Sequence, residues 1–175
     1  FNTLGDYQKA KDCYEKAIEI DPNHTTALNN LGGVFKKLGE NQKAKGCYEK
    51  IIEIDPNHAD ALNGLGAIYK ILKENGKAKK SFEKVIELKP DHIDAHNNLG
   101  NVFKELGEHQ KAKDCFEKVI EIDPNHVEAY NNLGVLLLTA GKIKEAKSCY
   151  EKVIEINSNH VDAYNNLGNV FKELG

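Results

Sequence analysis

The sequence predicts an all-α fold, an α-solenoid of antiparallel helix hairpins, and three observations lead to this prediction. A 34-residue period runs through the 175 residues. Within each period, apolar residues recur at three- and four-residue steps, which is the spacing of a helix that buries one face. Glycine and proline follow these patterns at fixed places, where they would end the helices. Such regular repetition is typical of stacked helical repeats.

Four rows of residues share the 34-residue step and one register. They are a proline row, an alanine row, an aromatic row and a glycine row: Pro22, Pro56, Pro90 and Pro124; Ala10, Ala44, Ala78, Ala112 and Ala146; Tyr14, Tyr48, Phe82, Phe116 and Tyr150; Gly32, Gly66, Gly100, Gly134 and Gly168. We therefore predict a single array over residues 1–175. Full repeats are expected at 25–58, 59–92, 93–126 and 127–160, between partial repeats at 1–24 and 161–175.

Each repeat is expected to contain two helices. In the first full repeat, one helix should cover about 25–38 and end at Gly39. The second should cover about 41–54 and end at 55–57, because proline disfavours helical geometry in the residue before it. A glycine within a helix costs about 1 kcal/mol relative to alanine. We therefore expect the glycine row to let the second helix pack closely, with the alanine row opposite it.

Local departures from the pattern predict local changes. Lys73 stands where other repeats have the turn glycine, and together with Gly76 it predicts an altered turn in that hairpin. Ser158 replaces the proline and is expected to loosen one connector. Near the amino terminus, we expect Gly5 to follow the end of a partial first helix and the next helix to run from about Tyr7 to Ile20.

Composition excludes several classes of partner. The formal net charge is -3, and the 24 basic residues are all lysine. Nucleic-acid sites favour the planar guanidinium group of arginine, so we expect no nucleic-acid partner. No stretch approaches the roughly 18 apolar residues of a membrane span, and the amino terminus does not resemble a signal peptide. We expect no membrane partner and a cytoplasmic location.

No catalytic, cofactor or metal site is expected. Equivalent points of successive hairpins should lie about 10 Å or more apart, which is too far for a disulfide or a shared metal. The cysteines are therefore expected to be reduced, semi-buried packing residues, and the connector histidines to be structural: Cys13, Cys47, Cys115 and Cys149; His24, His58, His92, His126 and His160. His92 and His96 are four residues apart, but no further ligands complete a site. Without a nucleophile beside a base or a phosphate-binding loop, we expect no enzymatic activity.

The rows combine into one recognisable motif: Leu28-x2-Leu31-Gly32-x2-Phe35, Ala44-x3-Tyr48 and Pro56. This motif resembles the tetratricopeptide repeat, and the resemblance covers the entire chain. The departures are modest: no tryptophan is present, and His96 stands in the usual aromatic position. The resemblance implies a right-handed superhelix whose concave face is lined by the first helix of each pair. It also implies that partners bind there as peptides.

Amides and acids dominate the rows of the first helices that are not assigned to the core. These rows are Asn29, Asn63, Asn97, Asn131 and Asn165; Asn30, Asn98, Asn132 and Asn166; Asp60, Asp94, Glu128 and Asp162; and Asn101, with Val135 and Leu138 as one apolar spot. Two repeats are similar to those of O-GlcNAc transferase, with an asparagine before the Leu-Gly pair and an acid one turn earlier: Asn98-Leu99-Gly100 with Asp94, and Asn166-Leu167-Gly168 with Asp162. Chaperone-binding members hold a terminal carboxylate with Lys and Arg on the concave rows, and here those rows carry Asn and Asp instead, which disfavours that mode. A further row along the helices holds Lys36, Lys70, Lys104 and Lys172, with Leu138 between them.

An asparagine amide both donates and accepts, so these rows can pair with the backbone of an extended peptide. The acidic row would favour Lys, Arg, Ser or Thr side chains in that peptide. The opposing interpretation is that the polar rows are simply solvated, or form hydrogen bonds within a repeat. The function expected is a protein-interaction scaffold that binds an extended peptide. The alternatives are a substrate-recruiting arm of a larger enzyme such as a glycosyltransferase, and a self-assembling or designed array.

The ends of the sequence carry two further expectations. The missing initiator Met suggests a fragment or a processed chain. At the carboxyl end, we expect an exposed apolar stripe made of Leu167, Val170, Phe171 and Leu174. This stripe could dock head to tail on the first full helix of another copy, a contact that does not close on itself.

Overall fold

The computed structural model describes residues 3–174, which form helices and short connectors without a strand. The helices are α1 Thr3–Ile20, α2 Thr25–Lys37, α3 Asn41–Ile54, α4 Ala59–Ile71, α5 Asn75–Leu88, α6 Ile93–Glu105, α7 His109–Ile122, α8 Val127–Thr139, α9 Ile143–Ile156 and α10 Val161–Leu174. The all-α prediction is confirmed, and the helices of the first full repeat end within one residue of the predicted positions.

The helices form two compact units. Unit 1, Phe1–His92, contains α1 to α5, and unit 2, Ile93–Gly175, contains α6 to α10. In unit 1, α1 packs on α2, and the hairpin of α2 and α3 packs on the hairpin of α4 and α5. In unit 2, the hairpin of α6 and α7 packs on that of α8 and α9, which in turn packs on α10. Both units therefore consist of helix pairs stacked in chain order.

A left-handed residue closes the turn inside each hairpin. Gly39 has a φ of 77°, its N–H donates to the Lys36 carbonyl at 3.1 Å, and the next N–H donates to the Phe35 carbonyl at 2.8 Å. Lys73 adopts the same conformation, with a φ of 60°, and the equivalent hydrogen bonds measure 3.1 and 2.8 Å. The altered turn predicted at Lys73 is therefore wrong. The hydrogen bonds impose the turn, and Lys73 carries the strain that a Cβ introduces there.

The connectors between hairpins are held by local hydrogen bonds. Asp55 Oδ1 accepts from the Asn57 N–H at 3.0 Å, and His58 Nδ1 accepts from the Ala61 N–H at 3.2 Å. The imidazole thus caps the first turn of α4, a role usually taken by Ser, Thr, Asp or Asn. His24, His126 and His160 cap α2, α8 and α10 in the same way. The structural role predicted for these histidines is confirmed, although the sequence did not reveal that it was capping.

The connector containing Ser158 keeps this geometry. Asn157 Oδ1 accepts from the Asn159 N–H at 3.1 Å, and the His160 N–H donates to the Asn157 carbonyl at 3.1 Å. The loosening expected from the loss of proline is not found, because the amide of Asn157 replaces the carboxylate that makes the same turn elsewhere.

The glycine row faces the aromatic row. A Cβ on Gly100 would lie 2.6 Å from the Phe116 ring, and Gly32, Gly66 and Gly134 are equally close to Tyr48, Phe82 and Tyr150, at 2.9, 2.7 and 2.7 Å. The predicted close approach of the two helices is confirmed. The group opposite glycine is nevertheless an aromatic ring, not the alanine row. Alanine is buried at the same interface but leaves room for the ring to reach the glycine backbone.

The amino-terminal helix begins earlier than predicted. Gly5 lies inside α1, so the expected break after a partial first helix is not found. Glycine permits a left-handed turn but does not impose one. The other turns are held by carbonyl groups of the preceding helix, and the equivalent groups for Gly5 belong to residues 1 and 2, which lie outside the described residues.

Candidate functional site

The polar rows of unit 1 border a groove of about 480 Å³. The groove lies where α2 packs beside α4, and α1 forms one of its walls. Its lining residues are Tyr7, Ala10 and Tyr14 of α1; Asn29, Asn30, Gly33, Val34, Lys36 and Lys37 of α2; Tyr48 of α3; and Asp60, Asn63 and Gly64 of α4. Four residues of the predicted site, Asn29, Asn30, Asp60 and Asn63, are thus brought together.

The floor of this groove is formed by Tyr48. Its ring lies between two glycines, because a Cβ on Gly32 would be 2.9 Å from the ring and a Cβ on Gly64 only 2.5 Å from Tyr48 Cζ. Other repeats carry asparagine where Gly64 stands, and an asparagine there would collide with the hydroxyl end of the ring. Tyr48 is only 4% exposed, and its hydroxyl has no hydrogen-bond partner among the described residues. Burial raises the pKa of Tyr48, so the hydroxyl stays protonated at neutral pH.

The amides of this groove have few partners. Asn29 is half-buried, Asn30 is exposed, and neither side chain forms a hydrogen bond within the described residues. Asn63 Oδ1 is shielded from solvent and also lacks a described partner. Buried acceptors normally find a donor, so an unpaired one marks a place where a ligand or a water can contribute.

In unit 2 the amide rows partly satisfy each other. Asn132 Nδ2 donates to Asn97 Oδ1 at 3.4 Å, and Asn166 Nδ2 donates to Asn131 Oδ1 at 3.5 Å. These two hydrogen bonds join neighbouring repeats, whereas the alternative that the sequence left open was hydrogen bonding within a repeat. Both distances are beyond the usual 2.7–3.2 Å range of an N–H to O bond, which indicates weak bonds. In unit 1, Gly64 removes the amide that would pair with Asn29 in this way.

The rest of the predicted site in unit 2 lies at the surface. Asn101 Nδ2 donates to the Asn97 carbonyl at 3.1 Å, so part of its bonding capacity is used by its own helix. Asn98 is half-buried and Asn165 is exposed. Val135 and Leu138 are both half-buried, so the predicted apolar spot remains accessible.

The acidic row is less uniform than its sequence suggests. Asp60 Oδ1 lies 3.3 Å from Lys89 Nζ, which partly neutralises its charge. Glu128 lies 3.7 Å from His126 Nδ1, but that nitrogen already accepts the Ala129 N–H and carries no proton to share. Asp94 and Asp162 are exposed.

Basic residues lie on the same helices. Lys36 and Lys37 line the groove of unit 1, and neither pairs with a carboxylate in the described part of the chain. In unit 2, Lys104 occupies the position equivalent to Lys36. Burial lowers the pKa of Lys104, because desolvation disfavours its charged form.

The cysteines are free in the structure, in agreement with the prediction that they are reduced. Cys47, Cys115 and Cys149 are buried, whereas Cys13 is exposed and not semi-buried as expected. Burial raises the pKa of Cys47 and of Cys149 to about 11. Among residues 3–174, no group of His, Cys, Asp and Glu side chains is arranged to hold a metal ion. None of the helices described for this chain has the length and apolarity to cross a membrane.

The predicted stripe on α10 is only partly exposed. Phe171 and Leu174 are 53% and 47% exposed, and Leu167 is half-buried. Val170 is fully buried, so its assignment to the stripe is wrong. It belongs to the row that includes Val102 and Leu136, which are also buried. Tyr164, 52% exposed, lies on the same face as Phe171 and was missed.

Sequence reasoning missed the most distinctive part of the groove in unit 1. Tyr48 was assigned only to the core, and the glycines at 33 and 64 were not connected with it. The available signal was that Gly64 stands where the other repeats have asparagine, such as Asn98, and that Gly33 stands where two of the four other repeats have it, Asn101 and Asn169. Two such losses on adjacent helices indicate a hollow in the polar surface.

Comparisons with known proteins agree with this architecture. A family model described as tetratricopeptide repeat matches residues 25–58, 93–126 and 127–160, and two related repeat models match 1–39 and 68–107, and 47–80 and 149–175. A search of curated proteins finds no match.

Several solved structures share the fold. MamA is 29% identical with a TM-score of 0.79, over 91% of this chain and 94% of the matched chain. YrrB, described as a TPR protein with an unusual peptide-binding site, is 28% identical with a TM-score of 0.75, over 91% and 82%. PilF of Pseudomonas aeruginosa is 25% identical with a TM-score of 0.85, over 97% and 78%.

Proposed function

The chain belongs to the tetratricopeptide repeat family, and on that premise we propose that it is a protein-interaction scaffold that binds an extended peptide. The peptide would lie along the polar face of the first helices of the repeats. The observation that carries this proposal is how weakly the side-chain amides of the asparagine rows are hydrogen-bonded. In unit 2, Asn132 and Asn166 donate only long hydrogen bonds of 3.4 and 3.5 Å, and in unit 1 the side chains of Asn29 and Asn30 form none within the described residues.

A peptide backbone can compete for such amides. An extended peptide presents N–H and C=O groups at regular intervals, and an asparagine amide can bond to either group. Exchanging a bond of 3.4–3.5 Å for one of about 2.9 Å improves its geometry. Because these contacts are made to the backbone, they would be largely independent of the peptide sequence. The peptide-binding site described for YrrB, a similar structure, supports the same kind of ligand here.

The test is a peptide array probed with the intact chain and two triple variants. The first variant changes Asn98, Asn132 and Asn166 to alanine, which is a better helix former and should preserve the helices. The matched control changes three exposed connector asparagines, Asn57, Asn125 and Asn159, to alanine. We expect the first variant to bind fewer peptides and bind them more weakly, whereas the control binds as the parent does. Equal binding by all three proteins would reject the asparagine rows as the binding site.

Self-association is a second candidate, favoured by one observation. Residues 165–175 repeat 97–107 without a change, and in α6 this segment packs Gly100 against the Phe116 ring of α7. Helix α1 shares the sequence QKAKDC with α7, so α1 of a second copy offers a similar surface to the exposed face of α10. Sedimentation velocity across concentrations tests this, with Phe171→Ser as the variant. A monomer at all concentrations would contradict self-association without affecting the peptide proposal.

A further inference from the structure

The groove in unit 1 differs from the equivalent surfaces of the other repeats in three features that lie together. Gly33 leaves open space on α2, since no atom lies within 4 Å of the place where its Cβ would be. Gly64 leaves the opposite side of the groove without a side chain. The Tyr48 ring also lines the groove and lies against Gly64, and its hydroxyl has no hydrogen-bond partner in the described chain although the residue is almost completely buried. The groove therefore combines space with an unused polar group at its floor.

The other members of the aromatic row show that this hydroxyl is not required for packing. Phe82 and Phe116 fill the same place against Gly66 and Gly100 without a hydroxyl. In unit 2, the hydroxyl of Tyr150 is fully shielded and has no hydrogen-bond partner within the described residues. Tyr14 and Tyr48 are the tyrosines of this row that line the groove, and of these two only Tyr48 is almost completely buried.

The charges around the groove favour an anionic group. Lys36 and Lys37 line it without a carboxylate partner, whereas Asp60, its one acidic lining residue, lies 3.3 Å from Lys89. The remaining polar side chains of the lining are the amides of Asn29, Asn30 and Asn63 and the hydroxyls of Tyr7, Tyr14 and Tyr48. Each of them can donate a hydrogen bond, although Asn63 Oδ1 is also an acceptor without a described partner. A carboxylate is an acceptor at both oxygens, so it matches a groove of donors with positive charge at its rim.

We infer that this groove is a selectivity site which takes the carboxylate side chain of Glu or Asp from a bound extended peptide, with the Tyr48 hydroxyl and Lys36 as its principal donors. This inference rests on the proposed peptide-binding function and adds a side-chain preference to it. The absence of side chains at Gly33 and Gly64 lets the peptide approach closely enough for its side chain to reach Tyr48. The preference is opposite to the basic or hydroxyl side chains that the acidic row by itself predicted.

The experiment titrates the 15N-labelled chain with blocked peptides of the form acetyl-Ser-Ala-Ser-Xaa-Ser-Ala-Ser-amide, where Xaa is Glu, Gln or Lys. We expect the Glu peptide to shift the backbone amide signals of Gly33 and Gly64. It should bind about tenfold more tightly than the Gln peptide, the factor typical of a hydrogen bond to a charged group. The Lys peptide should bind more weakly than both. Equal affinity for the Glu and Gln peptides, or preference for Lys, would overturn the inference.

Two pairs of variants locate the effect. Tyr48→Phe should weaken the Glu peptide about tenfold, while Tyr150→Phe, the matched control, leaves its affinity unchanged. Gly33→Asn places into the open space the residue found at Asn101 and should block the groove. Gly46→Asn, on α3 with equally open surroundings, is its control. An unchanged affinity in Tyr48→Phe would refute the role of the hydroxyl, and the intact aromatic ring keeps this variant folded.

Failure of this inference can be told apart from failure of the proposed function. If all three peptides shift the side-chain amide signals of Asn132 and Asn166 equally, and none acts on Gly33 or Gly64, the chain binds peptide backbone but the selectivity site is wrong. If no peptide shifts any signal of the asparagine rows, both are wrong.

Discussion

One substitution made in two identical sequence segments should change stability in opposite directions. Residues 97–107 and 165–175 have the same sequence, and the fourth residue of each is a glycine, Gly100 or Gly168. Both glycines lie within helices, α6 and α10. Any difference between Gly100→Ala and Gly168→Ala must therefore come from tertiary surroundings, because the helix propensity and the neighbouring residues are the same.

The magnitudes follow from the contacts. Replacing glycine by alanine in a helix contributes about 1 kcal/mol of stability. At Gly100, the new methyl group would lie 2.6 Å from Phe116 Cε1 and 3.0 Å from two further ring carbons, and the Phe116 side chain is completely buried. Overpacking of this kind costs about 1–3 kcal/mol, toward the upper end where the ring cannot move. We therefore expect Gly100→Ala to lower the free energy of unfolding by about 1–2 kcal/mol.

At Gly168 the same methyl group meets no atom within 4 Å, so the propensity gain is unopposed. Gly168→Ala should raise the free energy of unfolding by up to about 1 kcal/mol, less if α10 unfolds before the rest of the chain. Urea unfolding followed by helical circular dichroism measures both variants, and hydrogen exchange reports α10 separately. Two variants that both stabilise, or both destabilise, would refute the assignment of the glycine row to ring packing.

Three further predictions concern strain, a buried hydroxyl and the thiols. Lys73→Gly should raise the free energy of unfolding by about 0.5–1 kcal/mol in urea titrations, because the relief of left-handed strain exceeds the added entropy of the unfolded chain; a loss of stability would contradict the strain. Tyr150→Phe should stabilise by about 1 kcal/mol, because it removes a shielded hydroxyl with no partner; destabilisation would show that a water or side chain satisfies that group. At pH 8 a disulfide reagent should modify Cys13 rapidly and Cys47 and Cys149 only on unfolding, since burial raises the pKa of the latter two to about 11. Rapid reaction of more than one thiol with that reagent at pH 8 would contradict the burial of these cysteines. Between the ordinary thiol pKa and about pH 11, the unfolded chain loses thiol protons that the folded chain retains, so the free energy of unfolding should fall as the pH rises.

Most of the fold could be predicted because each repeat encodes it locally. The helix of residues 41–54 follows from its apolar spacing and from the proline that follows it, and α3 has those bounds. The turn at Lys73 could not be predicted in this way. Its geometry is imposed by carbonyl groups of the preceding helix, and these tolerate a lysine in a conformation that favours glycine.

The candidate site was predicted in composition but not in arrangement. The sequence identified the asparagine rows, since residues on one helix face recur at a known spacing. Pairing of Asn132 with Asn97, and the absence of such a pair for Asn29, depend on how two first helices lie side by side. The exposure of Phe171 was expected, whereas the burial of Val170 required knowledge of the hairpin against which α10 packs.

By itself, the sequence determined the 34-residue repeat, the two helices of each full repeat and the membership of each row, because periodicity and helix-ending residues act through neighbours along the chain. Only the tertiary structure decided which residues of other helices each row contacts. Tyr48 reaches a groove while Tyr150 is enclosed, although the two belong to one row, because contacts between repeats depend on side chains 16 or more residues apart. A single missing side chain at Gly64 is enough to make that difference.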